Sequence, residues 1–411
     1  MKSNRLLENS AALVFLQFLN YLSPFIILPY LTRSLGLEGF GILSFSLAFC
    51  MLLFIVTDYG FGVSSPEYIA KNKLNYQKIS SYISGVIFIK FLFIIAIGAF
   101  GCVFFLLVDF RFFEEKGITA SLILSMYALI ITQGFQINWF FQGIEKFKLI
   151  VLYSVLSKII YVLLVLLFVH SIADLAYVFI SLAIGNCISL IFSYKQINRE
   201  KYKFKKVSFL YIKKLILDNF GYFLSRLSVS SYSTFNSIIL GSISNINNVA
   251  LYSSAEKIYQ ACQNLTYAVS QAFFPYLSRT NNVKVLHQYV LATFILLLPI
   301  VSVIIIYDFT SYIVVWFFGP VFESSSNILD VFLICALVNF LSVNYGYPLF
   351  ASINKTKLVN YTVYLASTIQ VLMLITLYYL EGITPINLVY CVLISELVVL
   401  FSRLSLYFRF K

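Results

Sequence analysis

The sequence predicts an all-α membrane protein with about twelve transmembrane helices in two six-helix lobes. Three observations predict it. Only 11% of the 411 residues are charged, while 60% are hydrophobic; a soluble domain carries about 25% charge, so this chain lacks the polar residues to coat itself in water. The apolar residues come in long runs, and about 20 of them span a bilayer. Finally, lysine and arginine sort to one side when the intervening loops are taken alternately.

The runs define the spans in order. Lys2 and Arg5 precede the apolar stretch from Ser10 to Leu31, as in a signal peptide. That stretch is too long for a signal core and no A-x-A site follows, so it reads as a retained first span. The first six spans are 10–30, 41–63, 82–108, 118–141, 149–169 and 175–194. After a basic loop come 217–243, 249–277, 288–307, 327–350, 358–380 and 386–409. With the N-terminus cytoplasmic, 22 of the 29 basic residues fall on cytoplasmic segments, Arg403, Arg409 and Lys411 at the C-terminal end among them. Only Arg33, Arg111 and Lys116 fall outside, and Lys90, Lys158, Arg226 and Lys257 lie within spans. Both termini are therefore expected on the cytoplasmic side. The longest outer loop is expected at about 308–326.

A repeat divides the chain. Shifting by 209 residues sets Phe141–Leu149 (FQGIEKFKL) on Phe350–Leu358 (FASINKTKL), with five of nine positions identical. This predicts an N-terminal lobe over 1–200 and a C-terminal lobe over 201–411. Parallel repeats of this kind place a substrate path between two lobes. The joining loop, 195–214 (KQINREKYKFKKVSFLYIKK), interleaves lysines with aromatics. Nucleic acid binds such patterns, but beside a membrane span the simpler reading is a loop lying on anionic headgroups.

Charges inside spans cost roughly 2.5–3.5 kcal/mol each on insertion scales and usually face a cavity or a partner. Lys90, Lys158, Arg226 and Lys257 each lie eight or nine residues from a span end, roughly 12–14 Å deep at 1.5 Å per residue. Asp58, Glu256 and Glu396 are the acids within spans. Polar stripes accompany them at helical spacing: Arg226, Ser230, Ser233 and Ser237; Glu256, Gln260, Gln263, Tyr267 and Gln271; Gln17, Asn20 and Pro24. Such stripes are costly against lipid and predict a hydrophilic cavity. A surplus of cations there suits an anion, with phosphate the natural candidate. The acids are candidates for ion coupling.

Other chemistry finds little support. There is no GxxxxGK[ST] segment for nucleotide phosphates and no paired-carboxylate or Ser-His-Asp arrangement. The six cysteines lie in apolar runs without a CxxC pair, so neither a disulfide framework nor a metal site is expected, and His170 and His287 sit at span edges. No cofactor is expected.

The opening of the chain carries a resemblance. Asn20-Tyr21-Leu22, Pro24, Leu28-Pro29-Tyr30-Leu31-Thr32-Arg33-Ser34-Leu35-Gly36 and Gly39-Phe40-Gly41 resemble the start of bacterial O-antigen flippases, the polysaccharide transporter branch of the MATE-like flippase superfamily. Tyr59-Gly60-Phe61, Ile69-Ala70, Trp139-Phe140-Phe141-Gln142-Gly143-Ile144-Glu145-Lys146 and Gln271-Ala272-Phe273-Phe274-Pro275 extend it; the last three spans match by hydropathy more than by motif. The resemblance implies a non-enzymatic, multi-pass protein of the bacterial inner membrane. It implies that undecaprenyl-diphosphate-linked oligosaccharide is moved to the outer leaflet as two lobes rock, alongside other polysaccharide-assembly membrane proteins. Arg33 is carried over because it stands in the shared opening motif; Arg226, Lys257, Lys90 and Lys158 rest on their depth. A drug or metabolite exporter of the same superfamily, and a membrane polysaccharide polymerase, remain the alternatives.

Overall fold

In a computed structural model the described residues are 2–107, 117–200, 202–231, 234–280, 283–353, 355 and 357–410, the side chains of 2–24, 105, 106, 229, 231, 268, 269, 271–280, 351 and 357 excepted. They form helices and no strand. In chain order these are α1 (Lys2–Asp58), α2 (Phe61–Lys71), α3 (Tyr76–Leu107), α4 (Ala120–Gly134), α5 (Asn138–Gly143), α6 (Phe147–Phe168), α7 (Leu175–Arg199) and α8 (Phe209–Ser231). Then follow α9 (Thr234–Ile243), α10 (Ile246–Thr280), α11 (Val283–Ile306), α12 (Phe309–Phe318), α13 (Ser326–Asn344), α14 (Tyr347–Ala351), α15 (Lys357–Tyr379) and α16 (Pro385–Phe410).

All twelve predicted spans fall on helices. Nine helical segments among the described residues are long and apolar enough to cross a membrane. Spans 1 and 2 are the two parts of α1, which changes direction at Gly36 (φ 66°), a left-handed conformation that glycine adopts without strain. Spans 7 and 8 fall on α8–α9 and α10, which are not among the nine; α9 is apolar but short. The predicted outer loop at 308–326 is instead α12 and a 3₁₀ turn, Pro320–Ser325. Its Phe318 and Phe322 pack on Phe40. The expected end of span 3 and the loop carrying Arg111 and Lys116 lie outside the described residues.

The chain divides into two compact units: Met1–Leu35 with Ser46–Leu227, and Gly36–Phe45 with Ser228–Lys411. In the first, Phe61, Ile79, Ile83, Val86, Trp139, Phe140, Phe141, Ile212 and Leu215 form a buried core. In the second, Leu286, Val290, Phe340, Leu349, Phe350, Val359 and Tyr407 do so.

The 209-residue offset acquires a structural meaning. It carries α5 onto 347–352, where α14 lies, α6 onto 356–377, where α15 lies, and α7 onto 384–408, where α16 lies. In both units the fourth helix of the repeat is broken, between Gly134 and Asn138 and between Asn344 and Tyr347. One feature is not shared: α1 and α2 are separated by Tyr59 and Gly60, both at positive φ, while α10 is continuous.

Candidate functional site

The seven intramembrane charges sort into three kinds once their surroundings are known. The first kind is satisfied within the first unit. Asp58 ends α1, and both of its carboxylate oxygens accept the Gly62 N–H, at 3.1 and 3.2 Å. It thus satisfies a free donor at the start of α2, where a negative charge also suits the helix dipole. Lys90, on α3, is 3% exposed. Its ammonium stands 3.6 Å from Asp58 Oδ1 and donates to the Gly134 carbonyl at 3.0 Å. That carbonyl belongs to the last turn of α4, where acceptors have no partner within the helix. The sequence marked Lys90 as a substrate-binding cation; the structure puts its charge on the α4 break and on Asp58.

The second kind is held within the second unit. Glu396, on α16, is 6% exposed. Its Oε1 accepts from Tyr259 Oη and from Asn339 Nδ2, both at 3.0 Å. Tyr259 Oη in turn accepts from Gln263 at 2.8 Å. Asn339 Oδ1 is buried without a hydrogen-bond partner among the described residues, leaving an acceptor beside the carboxylate. A second polar chain runs nearby: Ser395 donates to Gln370 (2.6 Å), Gln370 to Asn236 (3.1 Å), and Asn236 to Tyr252 (2.9 Å). Glu256 is buried one turn before Tyr259 and Gln260 on α10. A buried carboxylate among amide and hydroxyl groups has the chemistry to hold a proton or a small cation.

The third kind is less enclosed. Arg226 on α8 is exposed and Lys158 on α6 is half-buried; Arg33 of the opening motif, on α1 and not one of the seven, is exposed as well. Lys257 on α10 is half-buried and donates to Gln260 on its own helix, at 3.2 Å.

The predicted stripe of Arg226, Ser230, Ser233 and Ser237 crosses residues 232 and 233, which lie outside the described residues. Arg403, counted by sequence with the cytoplasmic end, is 7% exposed within α16. It donates to the Ser342 carbonyl and, at 3.3 Å, to Thr362 Oγ1. A signal for it was present: Glu396 and Tyr407 lie seven residues before and four after it on one helix, a spacing that shares a face. The side chains of Gln17, Asn20, Pro24 and Gln271 lie outside the described residues. The six cysteines are free, and no cluster of three or more His, Cys, Asp or Glu occurs among the described residues.

Long apolar helices with broken segments and buried polar chains among them make this a multi-pass membrane protein. Residues 6–281 match the family described as "Polysaccharide biosynthesis protein", and the chain belongs to that family. It is 32% identical over 290 residues to a protein of Escherichia coli (strain K12) named "Putative O-antigen transporter", the match covering 69% of each chain. A protein of the same name from Shigella dysenteriae is 33% identical over 263 residues, covering 63% of this chain and 64% of that one. Among solved structures, the lipid II flippase MurJ in an inward closed conformation superposes with a TM-score of 0.70 at 16% identity, covering 97% of this chain and 87% of that one. An inward-facing multidrug resistance MATE family transporter of the MOP superfamily gives 0.69 at 15% identity, covering 95% of both. At such identities these two show the fold.

Proposed function

We propose that this chain is a flippase, without enzymatic activity of its own, for an undecaprenyl-diphosphate-linked O-antigen or related surface-polysaccharide unit. Its place is the bacterial inner membrane, with both termini cytoplasmic. The observation that carries the reading is the extended match to proteins named as O-antigen transporters. The exposure of Arg226 and Arg33 and the partial exposure of Lys158 and Lys257 support it. Sugar and diphosphate pass through the protein by alternating access between two lobes, 1–200 and 201–411, while the prenyl tail stays in lipid. Arg226 and Lys257, with Lys158 and Arg33, offset the diphosphate charge, for which Arg is suited by its bidentate geometry. Lys90 acts at one remove, by holding the α4 break. Glu396 is the best placed of the three acids for ion coupling, since Asp58 is engaged with α2 and Lys90.

The test is complementation. In a strain lacking its own O-antigen transporter, the Arg226→Ala/Lys257→Ala protein should reach the membrane at normal level and fail to restore surface polysaccharide. Full polysaccharide from that variant would remove the cationic contact from the mechanism. Glu396→Gln should fold and lose only the dependence of flipping on an ion gradient; unchanged dependence would exclude Glu396 as the coupling group.

A further inference from the structure

We propose that residues 202–214 form a docked strap that binds the headgroups of anionic phospholipids. The segment 202–208 has no helix of its own, yet its backbone is held. The Lys203 N–H donates to Ser80 Oγ at 3.3 Å and the Lys205 N–H to Ser84 Oγ at 2.8 Å. N–H groups two apart point the same way in an extended chain, so two serines one turn apart on α3 grip it. Tyr202 is buried at its start, its ring 5.2 Å from those of both Tyr76 and Phe140.

Fixed in this way, the strap presents its side chains outward. Lys203, Phe204, Lys205 and Lys206 are all exposed. The chain then enters α8, where Phe209 and Leu210 are 78% and 77% exposed and Lys213 and Lys214 follow. None of these five lysines takes part in an ion pair among the described residues. The nearest acid in sequence is already engaged. Partial burial raises the pKa of the Glu200 carboxyl, but hydrogen bonds from Lys146 and Gln196 and the Lys146 charge outweigh this and hold it below its ordinary value. Glu200 is therefore ionised and already compensated. Asp218 is the one other acid between 200 and 220.

The location selects the ligand. Ser80 and Ser84 lie in the first turns of α3, one of the membrane-crossing segments, so the strap sits where the hydrocarbon gives way to phosphates. Ammonium groups there meet anionic headgroups, and Phe204, Phe209 and Leu210 reach the acyl boundary. A nucleic acid would stack on the phenylalanines but gives Leu210 no apolar environment.

Native mass spectrometry of the full chain in detergent, titrated with phosphatidylglycerol and separately with phosphatidylcholine, tests this. Wild type should retain phosphatidylglycerol in preference. Lys203→Gln/Lys205→Gln/Lys206→Gln should weaken that binding by about fivefold per lysine, while Lys284→Gln, an exposed lysine elsewhere, should leave it unchanged. Ser80→Ala/Ser84→Ala keeps every charge but frees the strap, and should weaken binding severalfold. Equal retention of both lipids, wild-type binding by the triple variant, or an equal loss in Lys284→Gln would each overturn the proposal.

Discussion

At the scale of single residues, the Asp58–Lys90 pair is a buried charge satisfied by the fold itself. Removing one partner of a buried pair is strongly destabilising, about 3–5 kcal/mol, because the other charge stays buried. Asp58 keeps about a quarter of its side chain exposed and both contacts to Gly62, which places Lys90→Met near the lower end of that range. The variant should melt several degrees lower in detergent than wild type. Asp58→Asn/Lys90→Met, which removes both charges, should recover part of the loss. Equal melting temperatures for single and double variants would mean that the pair does not couple. Lys90 was legible in the sequence as a charge inside a span, and Asp58 as an acid within another. Their pairing was not, because it needs the contact between spans 2 and 3, and no spacing within one helix encodes that.

Helices show the same division. Span positions were legible because each is a long apolar run bounded by charge or turn residues. Breaks inside a run were not: Phe135-Gln136-Ile137 and Tyr345-Gly346 leave its hydropathy intact. Each unit solves the resulting loss of hydrogen bonds with a buried cation from another helix. Lys90 of α3 serves Gly134 at the end of α4, and Arg403 of α16 serves Ser342 near the end of α13. The positions are unrelated by the 209-residue offset, so the requirement recurs while the residue that meets it does not. Beside the second break, a Cβ on Gly346 would lie 2.8 Å from Arg403 Nη1 and 3.1 Å from its Cζ. Gly346→Ala should therefore cost about 1–3 kcal/mol, as overpacking does. In a cycle with Arg403→Ala the two losses should add to more than the double variant shows. Thermal unfolding of the four proteins checks this; strict additivity would mean that the arginine gives way freely.

For the whole molecule, net charge and orientation become one question. The formal charge of +12 would suggest a polyanion partner in a soluble protein. Here 22 of the 29 basic residues fall on one set of alternate segments, and such a bias orients membrane proteins with those segments in the cytoplasm. On the orientation proposed above, the even number of spans puts both ends there. Arg403 and Lys90 show why a count alone is coarse: each is a cation whose location is set by a partner carbonyl, not by the membrane potential or the headgroups. Moving Arg403 from the loop tally to the interior leaves 21 on that side, so the bias behind the proposed orientation keeps its sense. Alkaline phosphatase, active only outside the cytoplasm, reads it directly. Fused after Gly382, in the turn between α15 and α16, it should be active; fused after Phe410, it should be silent. The reverse pattern would invert the protein, and with it the leaflet from which the 202–214 strap draws its lipid. Activity at both sites would instead mean that α16 does not cross, leaving an odd number of spans.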